Sequence, residues 1–247
     1  MNLEEAKLLF KEYVSSYQID NDKIKLKYDH SLRVCDLCKK IAVSLNLSDD
    51  DIKIAEMIGL LHDFGRFEQI KIYDTFNDKI SVDHAVLGVQ LLEKFGIDKF
   101  VSDKETQDLV KTAIINHNKT YVDDNLNERE LLFSNIIRDA DKIDIFYIWS
   151  ESKIEYVNGN ISDNIYDRVI NCQIDYEQKA NNLDFYVILC GLVYDINFSY
   201  SYQYLIEKKY ITKIIDKVIL KNNHEYARLN NIKKSLEDYL KSKEDLC

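Results

Sequence analysis

The stretch GLLHDFGRF, Gly59 to Phe67, closes an apolar run with a histidine and an aspartate side by side. Upstream, SDDD at Ser48 to Asp51 reads as an N-cap serine with an acidic residue at the third helical position. The helix it opens places Ile52, Ala55, Ile58 and Leu61 on one face, and His62 follows Ile58 at the same spacing. Gly65 reads as the glycine that ends this helix. An imidazole and a carboxylate therefore stand at the edge of a buried helix. Burial of either costs free energy unless it is paired or holds a cation.

Working outward, the same helical period governs nearly the whole chain. A first helix is expected from Leu3 to Tyr17 and a second from Asp22 to Leu45, where Leu26, His30, Val34, Leu37 and Ile41 share a stripe. Ser81 is the expected cap of a helix that stacks His84, Gly88, Leu91 and Phe95 and stops at Gly96. SDKE at Ser102 to Glu105 reads as a capping box for a helix carrying Leu109, Val110, Ala113 and His117. Glu128 to Trp149 aligns Phe133, Ile137, Ala140, Asp141 and Asp144. The last third, from Ser162 to Lys243, is helical in pattern and rich in tyrosine. With no proline and only 6 glycines, little interrupts these helices. The expectation is an all-α protein, with a helix bundle over residues 1–150 and a helical extension over 151–247 packed on the same core.

A net charge of -10 offers no basic surplus to neutralise a phosphate backbone, so a nucleic-acid polymer is not the expected partner. MNLEEAKLLF at the start lacks the pattern of a signal peptide, and FYVILCGLVY (Phe185 to Tyr194) is too short to span a bilayer. The expectation is a cytoplasmic protein with no membrane partner. Cys35 and Cys38 form a lone C-x-x-C within a helical pattern, without the second pair a zinc ribbon needs. They read as two small core residues one turn apart.

His30, His62, His84 and His117 each fall on the inward side of a different helix, and Asp63 and Asp141 join them. Any one of these histidines alone reads as a satisfied core residue. His224, in KNNHEY, has polar neighbours and reads as a surface residue. Taken together, the other four point to metal. Imidazole and carboxylate donors suit Mn, Fe, Co, Ni or Zn, with Mg favoured by oxygen. Six ligands exceed one tetrahedral ion, whereas two divalent ions bridged by a carboxylate use that number.

The order His30, His62-Asp63, Asp141, with the flanking strings DHSLRV, LLHDFGRF and RDADKID, resembles the HD-domain metal-dependent phosphohydrolase superfamily. The resemblance runs from about Tyr28 to Ile145 and implies an HD-domain bundle. It implies that His30, His62, Asp63 and Asp141 hold a first metal. His84 and His117 match the two-metal subgroup, where they hold the second ion and Asp63 bridges. That subgroup includes cyclic-dinucleotide phosphodiesterases and symmetrical diadenosine tetraphosphate hydrolases. The Gly-Tyr-Pro motif of cyclic-di-GMP enzymes is missing, since the chain has no proline.

The implied activity is hydrolysis of a phosphomonoester or phosphodiester, the substrate being a small phosphorylated molecule such as a nucleotide. Asp63, Arg66 and Lys142 are the expected catalytic residues, and Arg66 and Arg33 the expected phosphate contacts. Asp144 is placed to orient a histidine ligand, and Asp139 reads as exposed. A low-turnover nucleotide-binding module that keeps the metals is the alternative. The Tyr-rich segment admits a lid, a homodimer face or a core helix, and its apolar run favours the core.

Overall fold

The computed structural model describes residues 2–17, 20–154, 157, 159–174, 181–220 and 223–244. They are all-α, with no strand among them. The chain divides into two compact units, Met1–Asp141 and Lys142–Cys247. The sequence suggests a boundary near residue 150, whereas this division falls inside a helix.

The first unit contains α1 (Leu3–Ser15), α2 (Asp22–Ser44), α3 (Asp49–Leu61), α4 (Arg66–Tyr73), α5 (His84–Phe95) and α6 (Lys104–His117). It also contains most of α7 (Glu128–Glu151), which continues into the second unit. Side-chain caps set the starts of these helices. Asn2 and Glu5 form a reciprocal box at α1, and Ser48 accepts from the Asp51 amide at α3. Two caps lie elsewhere than the sequence suggests. Asp83, not Ser81, caps α5 by accepting from the Ala85 and Val86 amides. Asp103, not Ser102, caps α6 through the Thr106 amide. A carboxylate accepts more strongly than a hydroxyl and also favours the positive end of the helix, so the neighbouring aspartate wins in both places.

α2 packs along α3 at close range. A Cβ on Gly59 would lie 2.8 Å from the Cα of Cys35 and 2.9 Å from the Sγ of Cys38. The C-x-x-C pair thus supplies the small residues that let the two backbones approach. Both thiols are buried and free. The buried side of α2 comprises Ile24, His30, Ser31, Val34, Cys35, Leu37, Cys38, Ile41 and Ala42, while Leu26 is exposed. Behind the doublet, Phe64 stacks on Tyr13 with ring centroids 3.6 Å apart, and the Tyr13 hydroxyl donates to the Phe64 carbonyl at 3.1 Å. Phe10, Phe67, Phe95 and Phe100 complete this aromatic cluster. Each buried phenyl ring contributes about 1.5–3 kcal/mol, so the segment carrying the doublet is firmly anchored.

The second unit contains α8 (Asp163–Ile170), α9 (Asn182–Gly191), α10 (Ser199–Lys208), α11 (Tyr210–Asp216) and α12 (Asn223–Glu244). α12 packs against the other four and buries Ile232 and Leu236 completely. The Tyr-rich segment forms core here: Val187, Leu189, Cys190, Val193 and Tyr202 are buried. The Tyr194 hydroxyl donates to the Val169 carbonyl at 2.7 Å. His224 is exposed, as its polar neighbours suggest. Among the described residues, no helix is long and apolar enough to cross a membrane.

Candidate metal centre

The six side chains singled out in the sequence all lie in the first unit, and they converge. His30 sits mid-way along α2, His62 caps the C-terminus of α3, and Asp63 lies in the tight turn that follows. His84 is the first residue of α5, His117 the last of α6, and Asp141 lies on α7. The turn is held by the Phe64 amide donating to the Leu61 carbonyl and the Arg66 amide donating to that of Asp63.

Gly65 plays a different part from the one its sequence context suggests. Its backbone is right-handed, with φ -76 and ψ -20, and it leads directly into α4. A Cβ there would lie 2.2 Å from the His84 carbonyl oxygen and 2.6 Å from the Gly88 nitrogen. Only a glycine lets the start of α5, and with it His84, press against the doublet.

Asp63 faces both halves of the site. Its Oδ2 lies 3.3 Å from the Nε2 of His30 and 3.3 Å from that of His62. Asp141 Oδ1 closes this group, 3.1 Å from His30 Nε2 and 3.7 Å from His62 Nε2. Asp63 Oδ1 turns the other way, 3.3 Å from His84 Nε2 and 4.0 Å from His117 Nε2. The Nε2 atoms are paired across the site at 3.2 Å (His30 and His62) and 3.1 Å (His84 and His117).

The donor chemistry fits cations. His62 Nδ1 donates to the Gly59 carbonyl at 2.9 Å, and His117 Nδ1 donates to the Ile114 carbonyl at 2.6 Å. His84 Nδ1 donates to Asp78 Oδ2 at 2.6 Å. With the ring protons of His84 and His117 committed at Nδ1, their Nε2 lone pairs point at one another, an arrangement that a cation between them resolves. Three groups of these side chains, His30–His62–Asp63, His62–His117–Asp141 and Asp63–His84–His117, bring their donor atoms within 4.8 Å of one another.

The electrostatics agree. Burial, then the Arg66 guanidinium, lower the His84 pKa, while burial, His84 and His62 hold that of His117 well below its usual range. Both are neutral ligands. Burial opposes ionisation of Asp63, but Lys27 and the histidines outweigh it and hold this carboxyl well below the usual range. Burial likewise opposes ionisation of Asp141, and His30 and His62 outweigh it. Burial disfavours a charged His62, yet the Asp63 and Asp141 carboxylates raise its pKa to about 9. In the metal-free protein a proton on His62 stands in for a cation.

Side chains beyond these six complete the surroundings. Lys27, which the sequence reading passes over, lies 2.5 Å through its Nζ from Asp63 Oδ2. One turn before His30 on the same face of α2, it carries the spacing that could have found it. Arg66 is largely buried. Its Nη1 donates to Gln69 Oε1 (2.7 Å), the Phe76 carbonyl (2.8 Å) and Asp78 Oδ1 (2.8 Å), and its Nε stands 3.4 Å from Asp63 Oδ1. Nη1 is thereby committed, and the guanidinium stands between the Asp63 and Asp78 carboxylates. The Phe76 ring centroid lies 5.5 Å from Lys27 Nζ and 5.8 Å from Arg66 Cζ.

Arg33 is half-buried on α2. Lys142 is buried in the second unit, its Nζ 2.8 Å from Asp195 Oδ2. Asp139 is fully buried, contrary to the exposure its sequence context suggests, and Asp144 is buried as well. The hydrogen bonds that orient His62, His84 and His117 come from Gly59, Asp78 and Ile114, so among these three Asp144 is not the orienting group.

Residues 28–145 match the family model described as the HD domain. Two curated relatives, probable polyketide synthases 30 and 32 of Dictyostelium discoideum, are each 23% identical over 205 residues. The match takes in 80% of this chain and 6% of theirs, so the chain spans a small fraction of those proteins. No solved structure matches significantly. The ordered histidines and aspartates, the helices that bring them together and the family match agree: residues 28–145 of this chain are an HD domain.

Proposed function

We propose that this protein is a two-metal phosphohydrolase acting on a nucleotide or a related small phosphomonoester or phosphodiester. The observation that carries the reading is the split in Asp63, whose Oδ2 faces His30 and His62 while Oδ1 faces His84 and His117. His30, His62, Asp63 and Asp141 would hold one divalent ion, and Asp63, His84 and His117 the other. Bound there, such ions polarise a phosphoryl oxygen and lower the pKa of a coordinated water toward neutrality.

The chain's own residues prepare that chemistry. Asp63 and Asp141 are carboxylates throughout the physiological range, and His84 and His117 offer lone pairs without first losing a proton. Lys27 adds positive charge beside Asp63 Oδ2, where a substrate carrying negative charge gains from it. Arg66 brings a second positive charge beside the other oxygen, its Nε 3.4 Å from Asp63 Oδ1. Arg33 remains a proposed contact for the substrate phosphate, reached from α2. Lys142 would act only after leaving Asp195, so we place it outside the reacting groups.

Metal analysis combined with turnover tests the reading. Two equivalents of Mn, Fe, Co, Ni or Zn per chain are expected, with hydrolysis of bis(p-nitrophenyl) phosphate, p-nitrophenyl phosphate or members of a nucleotide panel. His62→Ala and Asp63→Ala should remove both metal and turnover. Fewer than two equivalents of metal after reconstitution would end the two-metal proposal. Two equivalents and tight nucleotide binding, with no product from any substrate, would favour the low-turnover binding module.

A further inference from the structure

His62 and His117 sit at the C-terminal ends of their helices, and each directs its Nδ1 proton to the carbonyl three residues back. Carbonyls in the last turn of a helix lack helical partners, so they are available to accept. His84 is different. As the first residue of α5 it has no helical carbonyl behind it. Its Nδ1 reaches instead into the connection between α4 and α5, to Asp78 Oδ2 at 2.6 Å.

Asp78 is itself held on every side. Its Oδ1 accepts from Arg66 Nη1 at 2.8 Å and from Gln69 Nε2 at 2.8 Å. Its Oδ2 accepts in addition from Asn118 Nδ2 at 3.3 Å. Gln69 is completely buried and also donates to the Ser81 hydroxyl and the Val82 carbonyl, pinning the connection to α4. Arg66 adds a bond to the Phe76 carbonyl. So much buried polar machinery around one half-buried aspartate needs a purpose, and the group of the centre that Asp78 itself touches is the His84 ring.

We propose that Asp78 is the positioning residue of the second metal position, fixing the ring orientation and tautomer of His84, with Arg66, Gln69 and Asn118 holding Asp78 in register. This rests on the two-metal reading above. It assigns Arg66 to the support of both Asp63 and Asp78, and it makes occupancy of the second position, but not of the first, depend on the connection between α4 and α5. The His62 ring of the first position is held instead by the Gly59 carbonyl, and Asp63 meets the connection through Arg66, which stands between Asp63 Oδ1 and Asp78 Oδ1.

Manganese titration of the full chain separates the two positions. The wild type should bind two ions and, at low temperature, show the electron paramagnetic resonance signal of a coupled Mn pair. Asp78→Ala should weaken the second ion by about 10–100-fold, leave the first within about twofold, and replace the pair signal with that of an isolated ion. Asp78→Asn, nearly isosteric and safe for folding, should weaken the second ion by a smaller factor. Asp83→Ala removes the cap of α5 and one of the two acceptors of Asn118 Nδ2, but leaves the Asp78–His84 bond in place, so it should lower the melting temperature yet keep the pair signal.

Unchanged second-ion affinity in both Asp78 variants overturns the assignment alone, as does an equal loss of both ions or an equal effect of Asp83→Ala. A wild type that binds fewer than two ions overturns this inference and the two-metal reading together.

Discussion

Replacing Gly65 by alanine isolates the close approach on which the second half of the site depends. The backbone at Gly65 is right-handed, so alanine suffers no conformational penalty, and at the N-cap of α4 it gains no interior helical propensity. Sterics therefore decide the outcome. The added Cβ would stand 2.2 Å from the His84 carbonyl oxygen, against an ordinary carbon–oxygen contact of about 3.3 Å, so the start of α5 must retreat by about 1 Å. The obstacle is backbone and cannot rotate away. Overpacking of this kind costs about 1–3 kcal/mol, and a rigid obstacle places it at the upper end. A loss of about 2–3 kcal/mol lowers the melting temperature of the first unit by about 4–12 °C. The same retreat draws His84 from Asp63 Oδ1, now 3.3 Å away, while metal–ligand distances tolerate only about 0.2 Å. The variant should therefore lose its second metal equivalent and keep the first. Gly88→Ala is the comparison. Its Cβ would lie 3.0 Å from the Gly65 nitrogen, a smaller intrusion offset by the helical gain, so its stability should stay near that of the wild type. Calorimetry and metal titration on both variants decide the matter. A Gly65→Ala protein that melts within about 1 °C of the wild type and binds two metals would refute the steric argument.

Further outcomes follow from the same geometry. Because the His62 pKa is raised from 6.5 to about 9, its proton contributes stability to the metal-free fold that is fully present below pH 6.5 and lost as pH rises through about 9. Metal must displace that proton, so affinity should climb from pH 6.5 to 9 with proton release on binding; a flat affinity in calorimetric titrations refutes this. In the second unit, Asp184 is fully buried and accepts from the Ser162 amide (2.8 Å), the Ser162 hydroxyl (2.7 Å) and Asn181 Nδ2 (2.9 Å). Asp184→Ala strands those donors and should cost about 2–4 kcal/mol in urea unfolding, and a loss under about 1 kcal/mol would show that they find other partners. Burial pushes the Cys35 thiol up to about 12 and Cys38 well above its usual range, so neither should react with a thiol reagent at pH 8 until the protein unfolds. Peptide mass spectrometry showing either one labelled in the native state would contradict their role as helix-spacing residues.

The convergence of the six side chains was legible in the sequence because a histidine on an apolar stripe is conspicuous, and four of them on different helices point to a shared site. Helix existence was legible for the same reason of periodicity. The helix starts at α5 and α6 slid because two capping residues stand close together, and only the folded geometry shows that Asp83 and Asp103 reach the amides. Gly65 was legible as a special position but not for the right cause, since its neighbour across the gap, Gly88, lies in another helix.

Arg66 and Asp78 expose the deeper limit. In the sequence, Asp78 sits in DTFNDKISVD with nothing to single it out, and Arg66 reads as a phosphate contact beside the doublet. Each acquires its role from the other only when the connection folds back over α4, at 2.8 Å. A physical rule nevertheless connects them to the sequence. A histidine that must direct Nε2 at a metal needs an acceptor for Nδ1, and at the last turn of a helix the backbone provides one. At the first residue of a helix it does not, so an acceptor must come from a side chain or from another segment. His84, already identifiable as lying at the head of its helix, was therefore the one ligand whose partner should have been sought among the acidic residues of the preceding loop. Asp78 and Asp83 are the near candidates there. Asp83 is taken by the helix cap, which leaves Asp78.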